Sequence, residues 1–220
     1  MNLSEIPRFI ENKYFLLLTA LILLIVMSPL IENARINLAI NSGLFLAIIT
    51  FMLIILGAGR LLFSFCLSAA IFSFILHYMA SFVTKSTQLE VMATLAYLLF
   101  IGVATLFLIR KIFSEEKVTA DTIMGSLSIY VLIGVLWQLL YSMIWLLNRD
   151  SFSLNQQIRS VPDFFYFSFT TMTTLGYGDI LPISQAAKIA AMLQAMTGQI
   201  YLTVLVARLV GLHMTHSGKK

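Results

Sequence analysis

Charged residues are scarce in this sequence. Lys, Arg, Asp and Glu make up 11% of its 220 residues, whereas an ordinary soluble domain has about 25%. Hydrophobic residues reach 60%, and a soluble fold of this size cannot bury so much apolar surface while covering itself with polar groups. The composition excludes a soluble enzyme, a secreted disulfide scaffold and a disordered chain. It predicts an all-α membrane protein that crosses the bilayer several times.

Cysteine is nearly absent, and the basic residues are not clustered. Cys66 is the only cysteine, so a disulfide cannot form within the chain. The formal net charge is +4, but the lysines and arginines are scattered singly along the sequence. Dispersed basic side chains do not make the patch that nucleic acid requires, so we expect no nucleic-acid partner.

Six apolar runs of 18 to 25 residues dominate the sequence. Each is long enough to cross about 30 Å of hydrocarbon as a helix, so the sequence predicts six membrane spans. The runs are Tyr14–Ile31, Leu38–Leu56, Leu61–Val83, Val91–Ile109, Ile123–Leu147 and Ala186–Leu209. The charged stretch Arg110–Asp121, which also holds apolar side chains, predicts a separate amphipathic helix at the membrane surface.

The basic residues between these runs predict an orientation. With both termini in the cytoplasm, nine lysines and arginines fall on the cytoplasmic side and five on the other. This excess agrees with the positive-inside rule. We therefore expect an integral protein of the cell membrane, inner or plasma, with cytoplasmic termini and membrane lipid around it.

The connection between the fifth and sixth runs is too apolar for an aqueous loop. Pro162 and Asp163 are typical of the first turn of a helix. That helix would reach about Thr173, some 18 Å, which is too short to span. Glycines follow it, so the segment must enter the membrane and turn back. Irregular backbone at that depth is tolerated only where protein buries it or where it lines a water-filled path.

Gly176 and Gly178 suit such a path because glycine adopts positive φ without a steric penalty. Alternating left- and right-handed conformations would turn successive carbonyls the same way, and a row of carbonyls around a symmetry axis can replace the hydration shell of K⁺. Thr174 adds a hydroxyl at one mouth. One chain supplies one row, so this chemistry requires about four chains.

The stretch Thr173–Asp179, TTLGYGD, resembles the selectivity filter of tetrameric potassium channels. The resemblance implies that K⁺ is ligated by the backbone carbonyls of Thr174, Leu175, Gly176 and Tyr177, and by the Thr174 hydroxyl. It further implies residues that shape and support the filter: Thr173, Gly178, Asp179, Tyr166 and Phe167. Tyr166 and Phe167 stand where many members carry paired tryptophans. Gly198 falls at the family's inner-helix hinge, which makes it the gate candidate.

The resemblance implies a fourfold homotetramer in which each chain has six spans and one re-entrant pore helix with its filter. Permeant K⁺ is the only ion expected, with no cofactor. The predicted organisation is a four-helix scaffold (1–109), the amphipathic linker helix (110–121), a pore domain (122–211) and a short polar tail (212–220). The predicted function is passive, K⁺-selective conduction by a prokaryotic-like channel.

The fourth run, Val91–Ile109, contains no lysine or arginine. Steep voltage gating needs several charges per subunit, because one charge crossing 100 mV contributes only about 2.3 kcal/mol. We therefore expect weak or no intrinsic voltage dependence.

Two other functions fit parts of the sequence. One is a non-conducting subunit that assists another channel or transporter, although that role does not require TTLGYGD. The other is an intramembrane aspartyl protease, since Gly176–Asp179 also fits a Gly-x-Gly-Asp pattern. A protease of that class needs two carboxylates sharing a proton, and no Asp or Glu lies within an apolar run as a partner for Asp179.

Overall fold

The protein is described by a computed structural model over residues 13–27, 57, 59–80, 86–115, 119–154 and 161–217. Within these ranges the chain is almost entirely helical. The elements, in order, are α1 (Lys13–Met27), α2 (Arg60–Tyr78), α3 (Thr87–Phe113), α4 (Ala120–Leu147), a 3₁₀ turn (Arg149–Ser151), β1 (Phe152–Leu154), α5 (Val161–Met172), β2 (Ile180–Pro182) and α6 (Gln185–Ser217).

Three of these helices are long and apolar enough to cross a membrane: α3, α4 and the Gln185–Gly211 part of α6. They coincide with the fourth, fifth and sixth apolar runs. The apolar part of α1, Lys13–Leu23, is shorter. The second run, Leu38–Leu56, lies outside the described residues, and so does the tail at 218–220. The predicted helical membrane protein is thus confirmed with three helices able to span.

The predicted linker helix at 110–121 is corrected by the structure. Arg110 to Phe113 form the last turn of α3, and Ala120 and Asp121 already belong to α4. The physical reason is the burial of Ile112, which is fully buried. The apolar face of α3 therefore continues beyond Arg110 and Lys111, and the helix continues with it. Thr119 then begins α4 with a capping box to Thr122.

The helix α4 is the centre of the described structure and contributes to two apolar clusters. One cluster joins α1, α3 and α4 and includes Leu21, Phe100, Ile101, Ile129 and Leu139. The other joins the second half of α4 to β1, α5, β2 and α6. The second cluster is mainly aromatic and holds the site described below.

The junction between α3 and α4 is fastened to α1 by its acidic residues. The Asp121 carboxylate accepts hydrogen bonds from the backbone N–H of Tyr14 (3.0 Å) and of Phe15 (2.9 Å). A carboxylate at the positive end of a helix dipole is stabilising. The Glu115 carboxylate accepts from the hydroxyls of Tyr14 (3.0 Å) and Thr122 (2.8 Å). These contacts hold the first described turn of α1 against the junction between α3 and α4.

The same junction is held to α6 by one arginine. The Arg208 Nη2 donates to the carbonyl oxygens of Ile112 (2.8 Å) and Glu115 (2.9 Å). Its guanidinium also lies 4.6 Å from the centre of the Phe113 ring. A cation at the carboxyl end of a helix satisfies carbonyls that have no partner within the helix. The last turn of α3 is therefore tied to the far part of α6.

Candidate functional site

The site is built on α5 and the turn that follows it, between α4 and α6. α5 spans Val161–Met172, one residue short of the predicted end at Thr173. Phe164, Phe167, Ser168, Thr170 and Met172 are its buried side chains, so one side of this short helix is packed against its neighbours. The side chains of residues 161–163 lie outside the described part.

Two short strands join the ends of the segment that contains α5. β1 pairs antiparallel with β2, with Phe152 opposite Pro182 and Leu154 opposite Ile180. Beyond the strands, the backbone N–H of Ile183 donates to the Ser151 carbonyl at 2.8 Å. The chain therefore leaves this point, forms α5 and the turn, and returns to the same point before α6 begins.

The residues 173–179, which carry the TTLGYGD pattern, are exposed in the single chain. Leu175 is 54% exposed and Tyr177 68%, although both side chains are large and apolar or aromatic. The buried residues Met172 and Ile180 flank them on either side. A run of seven exposed residues between buried ones shows that this stretch is not packed by its own chain.

The backbone of this stretch alternates in hand. Gly176 has φ +49° and Gly178 φ +80°, which is the positive φ predicted for these glycines. Thr174 also has a positive φ, +60°, and among the described residues it is the only non-glycine that does. Left-handed backbone costs a residue with a Cβ about 1–2 kcal/mol. Positive φ thus recurs at every second residue from 174 to 178, and Thr174 is the member that sequence reasoning did not foresee.

The end of α5 fixes the start of the alternating stretch through one carbonyl. The Thr170 carbonyl oxygen accepts from the N–H of Leu175 (2.8 Å) and of Gly176 (3.1 Å). The N–H of Thr174 donates to Thr171 at 3.1 Å. These three N–H groups therefore donate to carbonyls of α5. The role of Thr170 was not anticipated from the sequence.

Tyr166, one of the predicted supporting residues, lies beside the stretch. Its ring is stacked on that of Tyr177, with 6.4 Å between centroids and 5° between planes. Its hydroxyl lies next to the Asp179 carboxylate, which also accepts from the Ile180 N–H at 3.2 Å. Tyr166 therefore contacts both Tyr177 and Asp179.

Phe167, predicted to support the filter as well, faces the aromatic cluster instead. It packs edge-on against Tyr141 of α4 (4.9 Å between centroids) and Phe152 of β1 (5.6 Å). Phe152 in turn contacts Phe164 at 5.0 Å. Edge-to-face pairs of this kind contribute about 0.5–1.5 kcal/mol each beyond their buried area. Phe167 thus holds α5 against α4 and β1.

A buried polar network joins α4, α5 and α6 behind the alternating stretch. The Tyr141 hydroxyl donates to the Gln194 side-chain oxygen. The Gln194 amide nitrogen donates to the Ser168 carbonyl (2.9 Å) and hydroxyl oxygen (2.7 Å). The Ser168 hydroxyl donates onward to the Gly134 carbonyl at 2.6 Å. Gln194 is completely buried, and a polar residue within an apolar run was the signal that could have identified it.

Two glycines allow the neighbouring helices to approach α5 closely. A Cβ built on Gly198 would lie 2.6 Å from the Met172 carbonyl oxygen and 2.7 Å from its Cγ. A Cβ built on Gly134 would lie 2.5 Å from Cζ of Phe169. Real Cβ atoms do not come so near to other atoms. Gly198, the predicted gate, is therefore in contact with the end of α5.

The arrangement offers oxygen atoms rather than a catalytic or metal-binding cluster. Over the described residues, no group of three or more His, Cys, Asp or Glu side chains comes together. The exposed stretch instead presents the backbone of Thr174–Tyr177 and the threonine hydroxyls. Carbonyl oxygens of this kind are suited to a weakly hydrated cation that exchanges water for protein oxygen.

Comparison with known proteins gives one family match and several related proteins. The ion channel family matches residues 127–213. The chain is 33% identical over 97 residues to two-pore potassium channel 2 of Arabidopsis thaliana and 38% identical over 84 residues to the voltage-gated potassium channel Kch of Escherichia coli K12. It is 34% identical over 87 residues to the human potassium voltage-gated channel subfamily A member 4. No solved structure matches the chain.

These matches cover 38–44% of this chain. The chain spans only 13–20% of the length of the same three relatives. The resemblance first carried by TTLGYGD is confirmed by both kinds of match, and the proteins matched are channels rather than enzymes.

Proposed function

We propose that this protein conducts K⁺ selectively and passively across a membrane, because residues 127–213 match the ion channel family and the relatives that the chain resembles are potassium channels. The observation that carries the proposal is the positive φ at Thr174, Gly176 and Gly178 in a stretch that its own chain leaves uncovered.

The alternation of backbone hand supports ion ligation by this stretch. The N–H groups of Leu175 and Gly176 are held by the Thr170 carbonyl, and among the described residues no backbone N–H donates to the carbonyls of residues 174–177. We assign ligation of K⁺ to these four carbonyls and to the Thr174 hydroxyl. Carbonyl oxygens that replace the water around K⁺ compensate for the hydration free energy that the ion loses on entry. Gly178, Asp179 and Tyr166 hold the outer end of the row.

A fourfold homotetramer completes the site in this proposal. One chain supplies one side of an ion's coordination shell, and four copies around an axis supply the rest. Exposed apolar side chains support such an assembly: besides Leu175 and Tyr177, α6 exposes Ile189, Met192, Leu193, Met196, Ile200 and Val204. In a membrane protein these residues are available to other copies or to lipid.

The remaining architecture follows the sequence. We propose six spans in each subunit, with α5 as a re-entrant pore helix, α4 as the outer helix and α6 as the inner helix. Both termini would be cytoplasmic, in an inner or plasma membrane. In this proposal the connection between the scaffold and the pore domain is the last turn of α3, which Arg208 binds to α6. It replaces the separate linker helix predicted at 110–121. Gly198 remains the gate candidate on α6.

The experiment that tests this function is a reversal-potential measurement. Purified protein is fused into a planar bilayer with K⁺ on one side and Na⁺ on the other. We expect current that reverses near the K⁺ equilibrium potential. Current that reverses near zero would contradict selectivity, and an absence of current in membranes shown to contain the tetramer would favour the non-conducting subunit.

A further inference from the structure

The Gln194 side chain of α6 forms hydrogen bonds to both α4 and α5. Its oxygen accepts from Tyr141 of α4, and its nitrogen donates twice to Ser168 of α5. The Ser168 hydroxyl in turn donates to the Gly134 carbonyl of α4. Both amide hydrogens of Gln194 and the hydroxyl hydrogens of Tyr141 and Ser168 have acceptors. The network is therefore complete.

Gln194 and Gly198, four residues apart on α6, contact two residues of α5 that are also four apart. Gln194 contacts Ser168, and four residues later Gly198 meets the Met172 backbone. One turn of α6 is thus matched to one turn of α5, so the two helices run side by side over this contact. Between these two points lies Thr170, whose carbonyl holds Leu175 and Gly176.

We propose that Gln194 is a positioning residue for ion selectivity: its hydrogen bonds to Ser168 and Tyr141 fix α5 against α6 and α4, and thereby fix the Thr170 carbonyl that holds the alternating stretch. The inference rests on the proposed function of that stretch. Gln194 itself does not touch the ion.

The physical reason for this role is the cost of leaving the network incomplete. In an apolar interior without water, a donor or acceptor that has lost its partner is strongly unfavourable. If the Gln194 amide is replaced by an apolar group of the same length, the Tyr141 hydroxyl and the Ser168 carbonyl both lose a partner. α5 then shifts or rotates to regain hydrogen bonds, and residues 174–177 move with it.

The test compares two glutamine substitutions in the full-length protein. Gln194→Met keeps the length and apolar body of the side chain and removes the amide. Gln138→Met makes the same change in α4, where Gln138 is 6% exposed and its side chain has no hydrogen bond within the described part of the chain. Each variant is measured in planar bilayers with K⁺ opposite Na⁺, as is the wild type.

We expect Gln194→Met to lower the K⁺/Na⁺ permeability ratio roughly tenfold, which corresponds to about 1.4 kcal/mol. We expect Gln138→Met to keep the wild-type ratio. A wild-type ratio in Gln194→Met would overturn the proposal, and so would an equal fall in both variants. A wild type that lacks selectivity would instead contradict the proposed function, so the two failures are distinguishable.

A second variant and a second measurement cover the case in which Gln194→Met does not fold. Tyr141→Phe keeps the ring in the aromatic cluster and removes only the donor to Gln194. Thermal unfolding of the detergent-solubilised protein is recorded in KCl and in NaCl, because an ion that binds only the folded state raises its melting temperature. We expect the difference between the two salts to shrink in Tyr141→Phe. An unchanged difference, together with an unchanged permeability ratio, would overturn the proposal.

Discussion

Gly198 of α6 lies directly against the carbonyl end of Met172, the last residue of α5. A Cβ at position 198 would come within 2.6 Å of the Met172 carbonyl oxygen. The next residue along the chain, Thr173, opens the alternating stretch. Close packing against Met172 therefore explains why residue 198 is a glycine. The family resemblance implies a second reason, a hinge at this position.

Gly198→Ala is expected to reduce selectivity. On helix propensity alone, alanine would stabilise α6 by about 1 kcal/mol, but crowding a packed contact costs about 1–3 kcal/mol. The backbone of Met172 must move to relieve it. We expect a lower K⁺/Na⁺ permeability ratio in planar bilayers, because the displaced backbone leads into the filter.

Gly211→Ala provides the control for this prediction. It is the same substitution in the same helix, and a Cβ at Gly211 has no heavy atom of the described residues within 4 Å. We expect its permeability ratio to equal that of the wild type. If Gly198→Ala changes only the open probability and leaves the ratio intact, Gly198 acts as a hinge and not as a contact for α5.

Gly176→Ala is expected to damage the filter through its backbone. Gly176 has φ +49° with open space around it, so the methyl group meets no neighbour in the chain but makes the left-handed conformation costly by about 1 kcal/mol. We expect the residue to leave that conformation and the reversal potential to move toward zero. Gly57 has φ +69° and equally open surroundings, so Gly57→Ala imposes the same strain elsewhere. A wild-type reversal potential in Gly176→Ala would refute the filter assignment.

Substitutions of Tyr166 separate its hydroxyl from its ring. Tyr166→Phe keeps the stack on Tyr177 and removes the group beside Asp179, whereas Tyr166→Leu removes both. We expect Tyr166→Phe to shorten the conducting periods of single channels, since Asp179 loses the hydroxyl beside it. Tyr166→Leu should shorten them further and also lower selectivity. Equal behaviour of both variants and the wild type would show that Tyr166 does not support the filter.

The anchor of α1 is expected to contribute measurably to stability. Asp121→Ala removes the acceptor of two backbone N–H groups at the start of α1, a loss comparable to that of a helix cap, about 1–2 kcal/mol. We expect a melting temperature several degrees lower in detergent. Asp150→Ala, at an exposed position in the 3₁₀ turn, should leave the melting temperature unchanged. Equal shifts in the two variants would argue against the anchor.

The conductance of the wild type is expected to depend weakly on voltage. Between Val91 and Ile109, α3 carries no basic side chain, and the two that follow, Arg110 and Lys111, occupy its last turn. We expect a nearly flat conductance–voltage curve between −100 and +100 mV for purified protein, a range in which each charge moved would contribute about 2.3 kcal/mol per 100 mV. A steep curve would require gating charges that α3 does not supply.

The sequence predicted the local features that a short pattern determines. The end of α5 was predicted to within one residue because Pro162, Asp163 and the following glycines mark the limits of this helix. The positive φ of Gly176 and Gly178 follows from glycine's freedom. The linker helix at 110–121 was wrong because Ile112, which looks like part of a charged stretch, is buried in the core of α3 and α4.

What the sequence could not show depends on contacts between distant residues. Gln194 and Ser168 are 26 positions apart and Tyr141 and Gln194 are 53 apart, so neither pair leaves a local pattern. Thr174 has positive φ in a turn where its N–H donates to the Thr171 carbonyl and the next N–H, of Leu175, donates to the Thr170 carbonyl. The packing of Gly134 on Phe169 likewise becomes visible only when α4 and α5 are brought together.

Positive φ occurs at every second residue, 174, 176 and 178. The sequence of this stretch therefore fits its backbone only in one of two registers. Inserting or deleting one residue between Met172 and Ile180 would exchange the two classes of position. Leu175 and Tyr177 would then take up positive φ, at about 1–2 kcal/mol each, while the glycines would fall in ordinary backbone that any residue adopts. A change of one residue in the length of the segment between Met172 and Ile180 is therefore strongly disfavoured.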